Sequence, residues 1–121
     1  MNNKKTLVIG ASPNPLRYSH KAIKKLSEHN IPVEAIGKRE TQIGDVKVVV
    51  EKKPFENIHT VTLYVNPGNQ QEYVDYILEL MPKRIIFNPG THHTDFEEKA
   101  KNKGIEAVYD CTLVMLNRNT Y

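Results

Sequence analysis

One thiol, Cys111, in 121 residues excludes an internal disulfide and every cysteine-based zinc pattern, and it suits a reducing, cytoplasmic setting. Long apolar runs are missing too: Leu7 to Ile9 and Val48 to Val50 are strand-sized, so no segment is expected to span a bilayer. The stretch Met1 to Lys5 is polar and basic, but only three apolar residues precede Gly10, too few for a signal peptide. Repeats, low-complexity tracts and linkers are absent. The 17 basic residues are spread from Lys4 to Arg118, which argues against a nucleic-acid stripe, where basic side chains should cluster with stacking aromatics. The net charge of +3 slightly favours anionic small molecules. No Ser/His/Asp set, paired-carboxylate motif or P-loop lysine is visible. His92 and His93 are adjacent and point apart in an extended loop, so they do not form a chelating pair. The sequence thus offers no catalytic residue and no metal site, and a binding protein is expected rather than an enzyme.

What is present is the composition of one globular domain, residues 1–121, with 39% hydrophobic and 26% charged residues. Short β-branched runs alternate with amphipathic helical patterns, the mark of βαβ units around a parallel sheet. Strands are expected at Lys5 to Ile9, Val33 to Ile36, Thr60 to Val65, Ile85 to Phe87 and Glu106 to Tyr109, with Val46 to Glu51 a further extended stretch. Ser19 can cap a helix running to about Asn30. After Asn69, Val74, Ile77, Leu78 and Met81 fall at i, i+3, i+4 and i+7 and predict a second helix, ended by Pro82. Thr94 and Glu97 read as the capping box of a third, ended by Gly104. Thr112 to Leu116 suits strand or helix. The fold class expected is α/β, a Rossmann-like three-layer α/β/α arrangement with a mostly parallel five-stranded sheet.

In such a sheet, ligands bind beyond the carboxyl ends of the strands. The first loop, Gly10 to Tyr18, stands where a dinucleotide fold receives phosphates. It is not a G-x-G-x-x-G loop, because Gly10, Ser12 and Pro15 occupy the glycine positions and Pro13 and Pro15 have no N–H. A phosphate here would use backbone donors such as Ser12 and Asn14, the Ser12 and Ser19 hydroxyls and the Arg17 guanidinium; a plain connecting turn explains the loop equally well. After the second strand, NAD enzymes present an acid, whereas this chain has Gly37, Lys38 and Arg39. Two cations disfavour NAD and suit a phosphate on the adenosine ribose, as in NADP or coenzyme A; a solvated basic turn is the plain alternative. Asn66-Pro67-Gly68 and Asn88-Pro89-Gly90 repeat one tripeptide after two successive strands, where turn chemistry and ligand contact both fit. Cys111 reads first as a small buried hydrophobe.

Taken together, Gly10-Ala11-Ser12 with Pro15 and Arg17, then Ile43-Gly44, Asn66-Pro67, Asn88-Pro89-Gly90 and Cys111 resemble the coenzyme A-binding domain family. Its members are similar to the amino-terminal domain of the succinyl-CoA synthetase alpha subunit, and the resemblance covers nearly the whole chain. It implies phosphate contacts from Ser12, Asn14 and Arg17, in a cofactor-binding first loop that also takes in Gly10, Ala11, Pro13 and Ser19. It implies ribose-phosphate contacts from Gly37, Lys38 and Arg39, and a pantetheine path along Tyr64, Val65, Asn66, Pro67, Asn88, Pro89 and Gly90. Family members often carry a proline in the turn after the second strand; Gly37-Lys38-Arg39 departs from that pattern. The synthetase's phosphorylated histidine lies in a further domain, and no histidine here corresponds to it. The expected ligand is coenzyme A or an acyl-CoA, with NADP and a ligand-free interaction domain as alternatives. The expected partner is a small-molecule nucleotide, with no nucleic acid and no membrane, and a homo-oligomer stays open.

Overall fold

The computed structural model describes residues 4–121; residues 1–3, the start of the polar stretch named above, lie outside the described residues. Strand β1 (Thr6–Ala11) has its residues 6–9 all buried, as an apolar run at the centre of a parallel sheet must be. It pairs in parallel with β2 (Val33–Gly37) on one side and β5 (Thr60–Leu63) on the other. Beyond β2 come β4 (Val46–Val49) and β3 (Thr41–Ile43); beyond β5 come β6 (Arg84–Phe87) and β7 (Glu106–Tyr109). The order is β3-β4-β2-β1-β5-β6-β7, and among the described residues only the β3–β4 pairing is antiparallel.

Strand alternation sorts the core into two layers. Leu7, Ile9, Ile36, Leu63, Ile85 and Phe87 pack with Val74, Ile77 and Leu78 of α2 (Pro67–Leu80) and Phe96 and Ala100 of α3 (Thr94–Asn102). Val8, Ala35 and Val48 face the other way, against Ile23 and Leu26 of α1 (Tyr18–Glu28) and Leu116 of α4 (Thr112–Asn117). Each fully buried Leu, Ile or Phe contributes about 1.5–3 kcal/mol, so the layering follows from which face each residue meets. No helix among the described residues is long and apolar enough to cross a membrane.

The α/β architecture is as expected, with seven strands instead of five. The additional pairing comes from a hairpin: Gly44 and Asp45 form a two-residue turn with Gly44 at φ +60, and β3 folds back on β4. Gly-Asp between Ile43 and Val46 carries that signal in the sequence. Helix starts also differ. Arg17, not Ser19, occupies the N-cap of α1, and no side chain caps it. Ser19 lies inside the first turn and is buried. Likewise His93, not Thr94, caps α3, its Nδ1 accepting from Phe96 N at 3.1 Å. The ambiguous run after Cys111 is the helix α4.

What seats α4 is Asn88, at the end of β6. It is 3% exposed and its amide is fully used: Nδ2 donates to Thr62 Oγ1 at 2.6 Å and to Leu63 O at 2.8 Å, while Oδ1 accepts from Thr112 N at 2.9 Å. Thr62 and Thr112 close the network hydroxyl to hydroxyl at 2.8 Å. Asn88→Ala strands several buried polar groups and is expected to cost about 3 kcal/mol. That lowers the melting temperature by roughly 10 °C in calorimetry. Pro89→Ala, at an exposed position, is expected to change it by less than about 3 °C.

Candidate functional site

The chain leaves β1 toward β2 on one side and later returns to β5 on the other, so the carboxyl ends of β1 and β5 form the sheet's topological switch point. A cleft of about 680 Å³ opens there. Its walls come from three strand exits. Gly10, Ala11, Ser12, Pro13, Asn14, Arg17 and Ser19 follow β1, Gly37, Lys38 and Arg39 close β2 and its turn, and Tyr64, Val65 and Asn66 follow β5. These residues are what the sequence nominated at those three exits. Pro67, Asn88, Pro89 and Gly90 are not on the walls.

Glycine lets the strand exits pass close to one another. β1 carries a register irregularity between Ile9 and Ala11, and Gly10 there has φ +94. A Cβ on Gly10 would lie 2.7 Å from the Tyr64 carbonyl oxygen, and one on Gly37 would lie 2.3 Å from that of Ala11. Neither position has room for a side chain.

The two Asn-Pro-Gly tripeptides turn out to be different structures. Asn66 is the N-cap of α2, its Oδ1 accepting from Asn69 N at 3.0 Å, and Pro67 is the first helical residue. Asn88-Pro89-Gly90 is a turn closed by Thr91 N to Asn88 O at 3.0 Å. Between them, Gln70 is fully buried and donates through Nε2 to Val65 O at 2.8 Å and Thr91 O at 2.6 Å, tying the exit of β5 to that of β6.

The first loop organises itself. Asn14 N donates to Ser12 Oγ at 3.1 Å, Leu16 N to Asn14 Oδ1 at 3.0 Å, and Arg17 N to Asn14 O at 3.0 Å. Asn14 N is therefore engaged within the loop, contrary to its expected role as a free donor. Further donors lie in the first turn of α1, where Tyr18, Ser19 and His20 have no intrahelical acceptor for their N–H groups and no side-chain cap. That turn contains no acidic residue, so its partial positive charge is uncompensated.

Arg17, Lys38 and Arg39 are exposed, and none of them is ion-paired among the described residues. Glu72, the carboxylate on the wall, is held by Lys52 at 3.2 Å, and Lys52 also lies 4.9 Å from the centre of the Tyr73 ring. Burial pushes the Tyr64 hydroxyl above the ordinary phenol range, so it stays protonated, beside Thr112 and Thr62. Burial, aided by Glu72, raises Tyr73 as well.

Sequence reading did not single out Tyr18 and Asn69, at the ends of two candidate loops, and missed Glu72 and Tyr73 on the walls altogether. Once Asn66-Pro67 is read as N-cap and first helical residue, α2 starts a turn earlier, and Asn69, Glu72 and Tyr73 share a face at i, i+3 and i+4.

The family described as "CoA binding domain" matches residues 4–117. A crystal structure of an uncharacterized protein is 42% identical, with 98% of each chain covered and a TM-score of 0.94. A hypothetical protein from Pyrococcus horikoshii OT3 is 28% identical over 95% of this chain and 82% of its own, with a TM-score of 0.84. A protein from Thermus thermophilus, 21% identical with both chains fully covered (100%) and a TM-score of 0.81, shares the fold. No curated protein matches significantly.

The crowding at the switch point is testable. Gly37→Ala forces a Cβ onto backbone and is expected to cost about 3 kcal/mol. The melting temperature should fall by roughly 10 °C, with a change in the near-ultraviolet spectrum of the tyrosines.

Proposed function

The chain belongs to the CoA binding domain family, and from that premise we propose that it binds coenzyme A or an acyl-CoA at the switch-point cleft as a small module, without chemistry of its own. The observation that carries this reading is that Arg17, Lys38 and Arg39 line one cleft and have no carboxylate partner among the described residues. A 3′-phosphorylated ADP group is strongly anionic, and charge-assisted hydrogen bonds to such oxygens are the strong ones. In this reading the diphosphate lies against the first turn of α1 and Arg17. Lys38 and Arg39 take the ribose phosphate, and the pantetheine arm leaves past Tyr64, Val65 and Asn66 toward Pro67 and the Asn88-Pro89-Gly90 turn.

Binding without chemistry is supported by the state of the cleft's other polar groups. The Tyr64 hydroxyl is buried and kept protonated, and Glu72 is engaged by Lys52. Neither forms an acid–base pair with a neighbour on the wall. NADP also carries a ribose phosphate, so the Lys38-Arg39 pair favours it equally. Hydride transfer needs a substrate pocket beside the nicotinamide, and that distinguishes the two readings chemically.

Replacing Lys38 and Arg39 together by Ala is expected to weaken coenzyme A by about tenfold or more in calorimetric titration. Dephospho-coenzyme A should change by less than about threefold, because it lacks the phosphate those cations meet. Equal losses for both ligands contradict the assignment. NADPH that binds as tightly as coenzyme A, read by its fluorescence, favours the alternative.

A further inference from the structure

His20, like His29 and His59, carries no role in the sequence reading, yet it alone of these three sits beside the cleft's first loop. It is in the first turn of α1, 9% exposed, and its Nδ1 lies 3.0 Å from the carbonyl oxygen of Ser12. A carbonyl oxygen only accepts, so Nδ1 carries the proton and donates. This bond is the tie between the body of α1 and the tip of the first loop. The other loop bonds, between Ser12, Asn14, Leu16 and Arg17, are local and would move with the loop as a unit.

The direction of the Ser12 carbonyl matters electrostatically. Its peptide leads into Pro13, which has no N–H to offset it, so this carbonyl is a bare partial negative charge on the wall of a cationic cleft. Turned inward, it would repel an anion placed against Arg17 and the first turn of α1. Turned onto His20, it is neutralised by a donor.

We propose that His20 is a positioning residue of the anion site: by holding the Ser12 carbonyl, it keeps that oxygen out of the cleft and fixes the loop in the form that admits a diphosphate. This rests on the reading that the cleft binds a diphosphate-bearing ligand, and it adds the device that makes a proline-rich loop compatible with one. A glycine-rich phosphate loop turns its carbonyls away through backbone freedom; here a side chain does it.

His20→Asn places an amide nitrogen where Nδ1 stands and retains the donor, whereas His20→Leu fills the space without one. The probes are inorganic pyrophosphate, followed by amide shifts of Ser12 and of Tyr18 to His20, and coenzyme A and dephospho-coenzyme A, followed by calorimetry. His20→Leu is expected to weaken all three by about tenfold, and His20→Asn to stay within about threefold of the unsubstituted protein. The equal loss for coenzyme A and dephospho-coenzyme A separates this effect from that of Lys38 and Arg39. Unchanged pyrophosphate affinity in His20→Leu, or no recovery in His20→Asn, overturns the proposal. Should His20→Leu fail to fold, nitrogen NMR of the unsubstituted protein decides: a ring protonated at Nε2 alone overturns it, and a proton on Nδ1 with coupling to the Ser12 carbonyl upholds it. If the unsubstituted protein binds pyrophosphate at this loop but not coenzyme A, the functional reading fails while the role of His20 stands. If it binds neither, both fail. Binding of coenzyme A that is indifferent to His20→Leu sinks the role of His20 alone.

Discussion

At the centre of the sheet, two backbone carbonyls come closer to neighbouring α-carbons than any side chain permits. The Tyr64 carbonyl sits over Gly10 and the Ala11 carbonyl over Gly37, each within 3 Å of where a Cβ would be. Glycine permits this close approach, so the exits of β1, β2 and β5 can lie side by side at the point where the chain's connections switch from one side of β1 to the other. The same lack of room explains why glycine is kept at Gly10, where the loop has otherwise exchanged glycine for serine and proline. The residues that shape the site are thus distinct from those that would touch a ligand.

The polar accounting of the first loop points to how such a ligand would be held. Pro13 and Pro15 bring no N–H, and the N–H groups of Asn14, Leu16 and Arg17 are engaged inside the loop. An anion would face the uncapped first turn of α1 and the guanidinium and ammonium groups of Arg17, Lys38 and Arg39, none of them ion-paired among the described residues. Recognition then leans on side-chain charge more than on a backbone cradle. Charge at an exposed rim is screened over about 8 Å at physiological ionic strength, so affinity at such a site depends more on salt than at a glycine-rich loop.

Elements with a long, clean period were legible in the sequence: β1 as an unbroken apolar run, α2 from Val74, Ile77 and Leu78, and the alternation that makes the sheet parallel. What escaped was decided by partners distant in sequence or by a choice between near-equivalent local options. Ser19 and Thr94 are both good capping residues, yet the caps fell at Arg17 and His93, one or two residues earlier. Ile43-Gly44-Asp45-Val46 carried a hairpin signal, but with only three residues in β3 the strand period had no length in which to show. The cations of the site were legible because a basic turn after the second strand departs from the acidic residue of NAD enzymes. Glu72 and Tyr73 were hidden by the misplaced start of α2, and His20 and Gln70 because their bonds reach across 8 and 21 residues.

The twin Asn-Pro-Gly segments show why the cleft stops at β5. Both follow a strand, and both asparagines use their side chains on backbone N–H groups, so local chemistry treats them alike. The difference is what arrives next. At Asn66 the acceptor serves Asn69, three residues on, and a new helix begins beside open space. At Asn88 the acceptor serves Thr112, 24 residues on, and the start of α4 is drawn down onto the strand end, where the hydroxyls of Thr62 and Thr112 complete the seal. The end of β6 is therefore already occupied by the protein's own backbone. A buried amide engaged through both its nitrogen and its oxygen does not give up its partners for a solute, because each stranded group would cost about 1–3 kcal/mol. The exposed cations in the loops after β1 and β2 have no ion-pair partners to lose among the described residues, and this asymmetry, set by where α4 docks, favours the β1–β2–β5 side of the sheet for an anion.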